Sequence, residues 1–311
     1  MDVQCEVFAE HQPAPEGPVV GPGGWILNVC SFTQHEHGTT FQGGDISATH
    51  TDKPRVTHRV FSTSTPTVTG IPAALAFGPD QALYVTDEGR RSIVRVDVNG
   101  SITDQIHEFA GKPLNGPNDL SFDPDGNLFF TDPYGSSAQN PIGRVFGYDW
   151  QQGTLTEIAR GMRFPNGIVA RDGRLYVAET YTNTVWVWDV IGPGRAADKR
   201  LFARCPLAPG ASQVGPDGMC FDRDGNLYVA HLGTGSVVIF NPSGGEVDRI
   251  KTGGVKTTNV CFGGPAHDDL FVTQENLGAV LRIRLGITGD RLNFCPSTDP
   301  THPWRSMLPS D

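Results

Sequence analysis

The 311-residue chain is 38% apolar and holds 38 glycines and 24 prolines, about a fifth of its length. Both residues are costly inside a helix, which excludes a helical bundle, and the even spread of apolar residues excludes a disordered chain. With 24 Lys and Arg against 34 Asp and Glu the formal net charge is -10, and no basic stripe occurs, so a nucleic-acid partner is not expected.

The opening MDVQCEVFAE has neither a basic nor an apolar leader region, and no uninterrupted apolar run reaches about 18 residues. The expectation is a cytoplasmic protein with no membrane partner. The six cysteines (Cys5, Cys30, Cys205, Cys220, Cys261, Cys295) form no CxxC pair, and Cys220 and Cys261 sit in apolar runs. They read as reduced core thiols rather than as disulfide staples, which a domain of this size does not need.

Along the chain one pattern recurs: strand, tight turn, strand. It is weakest in PEGPVVGPGGWILNVC (15–30) and then appears in PAALAFGPDQALYVTD (72–87) and PNDLSFDPDGNLFFTD (117–132). PNGIVARDGRLYVAET (165–180), PDGMCFDRDGNLYVAH (216–231) and TTNVCFGGPAHDDLFVTQ (257–274) follow. Asp125-Gly126, Asp172-Gly173 and Asp224-Gly225 are hairpin turns, because both residue types tolerate positive φ. The flanking LFF, LYV and LFV runs have strand composition.

The second residue of each copy serves as an anchor: Glu16, Ala73, Asn118, Asn166, Asp217 and Thr258, spaced 41 to 57 residues apart. That spacing suits four short strands. The fold class expected is therefore all-β, a six-bladed β-propeller with four-stranded antiparallel blades, covering residues 1–311 as one domain. RSIVRVDV, GRVFGYDW, NTVWVWDV and GSVVIFNP supply third strands, and a strand near Gln4 to Ala9 is free to complete the last blade. Stretch 31–58 contains His35, His37, His50 and His58; a His-x-His pair can hold zinc, but without spaced partner ligands a polar loop or hairpin is the better reading.

In a propeller the anchors would ring the axis. Structural anchors should be alike or apolar, whereas these are nearly all oxygen-bearing, the donor set hard divalent cations take. An axial metal site follows. Without a cation, two close carboxylates there would repel and one pKa would rise.

PEGP (15–18), GPND (116–119), TDPYG (131–135), FPNGI (164–168), GPDGM (215–219) and TNVCFGG (258–264), in that order, resemble the senescence marker protein/gluconolactonase/luciferin-regenerating-enzyme-like family. The resemblance implies Glu16, Asn166 and Asp217 as metal ligands and Asn118 as a fourth polar residue touching metal, its water or substrate. It implies Asp217 as general base or nucleophile, and one divalent cation, Ca2+ first, with Zn2+, Mn2+ or Mg2+ as alternatives. The activity implied is opening of a lactone, a small-molecule substrate; a neighbouring branch hydrolyses organophosphorus esters. Sugar-lactone members often carry an Arg two residues before the Asn of the third blade, where this chain has Gly116.

Mechanistically, the metal would polarise the carbonyl while Asp217 and Asn118 act as catalytic residues. Tyr134, Phe164, Met219 and His231 are candidate substrate contacts. Asp87 and Asp132 read as blade-to-blade hydrogen-bonding residues, and the Asp123 and Asp222 turns as hairpins rather than calcium loops. No GxSxG or HExxH occurs. The competing readings are an organophosphorus-ester hydrolase, a non-catalytic calcium-binding propeller, and a ring-opening or rearrangement in biosynthesis.

Overall fold

Each punctuated apolar run forms a strand in the computed structural model, which describes residues 3–32, 34–36, 39–41, 43–207, 215–296 and 299–310. The first blade is Pro15–Val20, Trp25–Cys30, Asp45–His50 and Thr57–Ser62; the second is Pro72–Phe77, Leu83–Asp87, Ser92–Val96 and Ile102–Ile106. The third is Leu120–Phe122, Leu128–Asp132, Gly143–Asp149 and Thr154–Met162; the fourth is Pro165–Arg171, Arg174–Glu179, Thr184–Gly192 and Arg195–Arg204. The fifth is Gly215–Phe221, Leu227–Leu232, Ser236–Phe240 and Glu246–Lys251. The sixth joins Thr257–Gly263, Asp269–Gln274 and Ala279–Arg284 to the N-terminal strand Cys5–Ala9, with Cys5 opposite Ile283. The inner strand of each blade packs on that of the next, and Pro15–Val20 packs on Thr257–Gly263. This is a closed six-bladed β-propeller of four-stranded antiparallel blades.

Strand alternation explains why the runs are apolar on both faces. Leu83 and Val85 pack toward the first blade, while Ala82 and Tyr84 pack toward the third. Each blade is thus sandwiched, and a hydrophobic cluster fills every blade interface.

A register shift marks the start of the inner strand in five blades, between Glu16 and Val19, Pro72 and Ala74, Pro165 and Ile168, Pro216 and Met219, and Thr257 and Asn259. Such bulges re-aim side chains and leave backbone groups to be satisfied elsewhere. Hydroxyls do this across the joints. The Thr86 hydroxyl donates to the Asn118 carbonyl at 2.6 Å, Thr131 to that of Asn166 at 2.8 Å, and Thr180 to that of Pro216 at 2.9 Å. Ser31 donates to the Pro72 carbonyl at 2.7 Å and Thr258 to that of Pro15 at 3.1 Å. The joint from the fifth to the sixth blade uses a backbone bridge between Leu232 and Lys256.

The aspartates after these threonines act differently from the sequence expectation. Asp87 accepts from the Ile71 and Arg90 N–H groups, and Asp132 from those of Asn115 and Gly116 and from Arg144. They tie each strand end to the lead-in of its own blade, and the hydroxyls make the inter-blade bonds. Asp123 and Asp222 cap tight turns: each accepts from the N–H four residues on, at 2.8 Å, as read from sequence. His50 and His58 stack edge-on to Trp25, and Gln34–Glu36 pairs with Thr39–Phe41 as a small hairpin; His37 lies outside the described residues. All six cysteines are free thiols, with Cys30, Cys205, Cys220 and Cys261 buried.

The C-terminal segment crosses the far ends of the inner strands. Gly289 bridges to Asp222, Asp290 pairs with Arg171 at 2.6 Å, and Asn293 donates to the Phe122 carbonyl at 2.8 Å. Trp304 is then fully buried among residues of the first two blades. Among the described residues no helix is long and apolar enough to cross a membrane.

Thr131→Val keeps the side-chain shape but strands the Asn166 carbonyl and the Asp119 N–H, which donates to Thr131 at 3.1 Å. It is expected to cost about 1–3 kcal/mol in equilibrium denaturation. An unchanged midpoint would show that the hydroxyl joint carries no stability.

Candidate metal and active site

The starts of the inner strands, five of them bulged, lie at one mouth of the channel, opposite the C-terminal crossing. A cavity of about 310 Å³ opens there, and Glu16, Ala73, Asn118, Asn166, Asp217 and Thr258 all line it. The six anchors from six blades therefore meet in one place.

Their hydrogen bonds orient them. The Asn118 amide donates to Glu88 at 2.9 Å, and that of Asn166 donates to the Thr180 hydroxyl at 3.2 Å. With each NH2 engaged, the carbonyl oxygen is the group left to act as a ligand. The Gly17 N–H donates to Glu16 at 2.9 Å. Glu88, which follows the second blade's second strand, adds a carboxylate where that blade's own anchor is only Ala73.

The electrostatics are lopsided. Burial pushes Glu16 up to about 8, opposed by the Gly17 N–H and by Thr258 and Asn259, with Asp119 adding repulsion. Burial, then repulsion from Glu16 and Asp119, holds Asp217 well above the ordinary carboxylate range. Burial also raises Asp119 to about 7 against the Ile168 and Leu120 N–H groups, and raises Glu88 to about 7 against the Asn118 bond. The cation lining the cavity among the described residues is Lys256, already paired with Glu275 at 2.7 Å. Two carboxylates, two carboxamide oxygens and an unbalanced negative field match the donor chemistry of a hard divalent cation. Among the described residues no three His, Cys, Asp or Glu side chains form a ready ligand cluster; half of this donor set is asparagine.

The candidate substrate contacts separate. Phe164 lines the cavity, held at φ +63°, a left-handed conformation unusual for a bulky residue. Its N–H donates to the Ser136 hydroxyl at 3.2 Å, its carbonyl accepts from the Thr180 N–H at 3.0 Å, and its ring meets Tyr181 edge-on. Tyr134 lies in an adjoining groove with Glu88 and Arg91. Met219 is buried in the cluster between the fourth and fifth blades, below the cavity. His231 is fully buried, its Nδ1 2.7 Å from the Leu232 carbonyl, and Leu232 lines the cavity in its stead. Asp119, Glu88, Lys256 and Glu275 were not singled out from sequence; Asp119 was visible as the last letter of GPND, whereas the others flank strands with no shared spacing.

Residues 42–276 match the family model described as the SMP-30/Gluconolactonase/LRE-like region. The chain is 33% identical to the diisopropyl-fluorophosphatase of Loligo vulgaris over 243 residues, covering 73% of this chain and 75% of that one. It is 30% identical to the gluconolactonase of Zymomonas mobilis over 223 residues, 67% of this chain and 61% of that enzyme. A calcium-binding protein, regucalcin, of Agrobacterium tumefaciens superposes with a TM-score of 0.73 at 19% identity, covering 94% and 97% of the two chains, which shows the fold.

A carboxyl whose folded-state pKa is raised contributes stability that is complete below its ordinary value and lost as pH rises through the raised one. For Glu16 that window runs from 4.5 to about 8, and for Asp119 from 3.8 to about 7. Cation-free protein is thus expected to show a thermal midpoint that falls on raising the pH through that window. Saturating Ca2+ should restore the midpoint most at the alkaline end. A midpoint that stays level or climbs would show that the carboxylates are compensated by other means.

Proposed function

The chain belongs to the SMP-30/gluconolactonase/LRE-like family, and on that premise we propose that it is a divalent-cation-dependent hydrolase that opens a lactone. The observation that carries this reading is the meeting of Glu16, Asn118, Asn166 and Asp217 in one cavity whose wall includes Ile71, Phe164 and Leu232. Those four residues would hold the cation, with Ca2+ favoured by the all-oxygen donor set. When bound, the cation supplies a Lewis acid that polarises the lactone carbonyl and favours charge on its oxygen.

The chain's own groups do the rest. Asp217, which lines the cavity with Glu16, takes a proton from the water that adds to the carbonyl carbon. It returns that proton to the ring oxygen as the carbon–oxygen bond breaks, leaving a hydroxy acid. Direct attack by Asp217, giving an acyl-enzyme, is the other role open to the same carboxylate. Glu88 fixes the Asn118 amide, and Thr180 fixes that of Asn166, so the two carboxamides keep their orientation. The apolar wall excludes bulk water from the face of the ring. The substrate is a small molecule.

A second reading, an organophosphorus-ester hydrolase on the same residues, is favoured by the 33% identity to the Loligo vulgaris enzyme over 73% of the chain. Acid release from a panel of lactones, followed in a pH-stat, separates the two. Chelation is expected to abolish it, and Asp217→Asn to lower kcat about 10²- to 10⁴-fold. Fluoride release from a fluorophosphate with every lactone inert would replace lactone opening by the second reading. Tight Ca2+ binding without turnover of either class would leave a calcium-binding propeller.

A further inference from the structure

The axial cavity does not end at its own wall. Glu88 lines it and also lines a groove of about 370 Å³ that continues outward past Asn115, Arg91, Tyr134 and Ile142. One stretch of backbone runs under both: Asn115 lies in the groove, and Asn118, three residues on, lies in the cavity.

Two large apolar side chains stand open there, Tyr134 at 49% and Ile142 at 42% exposure. Scattered exposed apolar residues need no explanation, but two sharing one groove beside a candidate active site do. The backbone at both positions is held in place. The Tyr134 N–H donates to the Gly116 carbonyl at 3.3 Å, and the Asn115 amide donates to the Ile142 carbonyl at 3.2 Å. Arg91 is held by its Nε, which donates to the Leu114 carbonyl at 2.6 Å. Gly116 keeps the passage clear: a Cβ there would fall 2.7 Å from the Tyr134 Cβ and 3.0 Å from the Glu88 carbonyl oxygen. A groove ordered before binding loses little freedom on binding.

Within the groove the Asn115 amide is engaged with the Asp132 and Ile142 carbonyls and the Arg91 Nε with that of Leu114. An apolar arm would gain by covering Tyr134 and Ile142, a gain that an arm rich in hydroxyls, itself well hydrated in water, does not share.

We propose that this groove is a substrate subsite for an apolar arm, aryl or medium-length alkyl, carried by the ring that enters the axial cavity. The proposal rests on the lactone reading for the identity of the ring, and it makes Tyr134 and Ile142 specificity-determining residues.

Lactams, unreactive analogues of the ring, test it without turnover. Ca2+-loaded protein is titrated by calorimetry with δ-valerolactam, with the same ring bearing a phenylpropyl arm, and with the ring bearing a polyhydroxylated arm. The phenylpropyl arm is expected to tighten binding about tenfold or more, and the hydroxylated arm not at all. In the Tyr134→Ala, Ile142→Ser double variant the preference should shrink to within about twofold. Both side chains are half-exposed, and the thermal midpoint reports whether the variant is folded. A wild-type preference below about threefold, a preference that survives the double substitution, or tighter binding of the hydroxylated arm overturns the subsite. So does failure of all three lactams to bind. If the arm preference holds while no lactone is hydrolysed, the hydrolase reading falls and the subsite stands.

Discussion

A bulge at the head of an inner strand cannot stand alone in a buried setting, since it frees backbone groups that must find partners. Here a hydroxyl solves that problem twice over. Thr131 accepts the N–H of Asp119 in its own blade and donates to the carbonyl of Asn166 in the next. Thr86 does the same between Ala74 and Asn118. One small side chain therefore satisfies the backbone at the head of its own inner strand and fixes the backbone of the next anchor. Hydroxyls make such an inter-blade bond at five of the six joints, and the Leu232–Lys256 backbone bridge serves the sixth.

The floor carries a cost that the rest of the fold must offset. Glu16, Asp119 and Asp217 crowd together in a site from which water is largely removed, and burial pushes each toward its neutral form there. Burial of unbalanced charge is tolerated only when something else repays it. The six apolar interfaces, each interlocking alternate faces of two sheets, supply the rigidity that keeps these groups from moving apart. Strain is stored in the same region, where Phe164 is kept left-handed by bonds on both sides of its peptide.

Much of the propeller was legible in the chain because its punctuation is periodic. Asp125-Gly126 and its counterparts mark hairpins, and the residue after each leading proline marks the axis. What was not legible follows from the same bulges. Alternation would put Met219 on the side of Asp217, yet the extra residue between Pro216 and Met219 shifts the register and turns Met219 into the core. His231 and Leu232 are separated by the same one-residue step, and the apolar neighbour faces the cavity. Glu88 and the Lys256–Glu275 pair come from strand ends whose approach to the axis depends on blade curvature, which no local spacing encodes. The Gly116 departure proved more informative than an added side chain would have been, since Tyr134 occupies the space beside it.

The pairing of Cys5–Ala9 with Ala279–Arg284 makes the first and last parts of the chain neighbours. Glu16 follows that first strand directly, and the carbonyl before it is held by Thr258 of the sixth blade. The cavity thus has a complete wall only in a closed ring: its lining takes Glu16 from the first blade and Lys256, Thr258 and Glu275 from the sixth, and the pairing of the two end strands holds that sixth blade together.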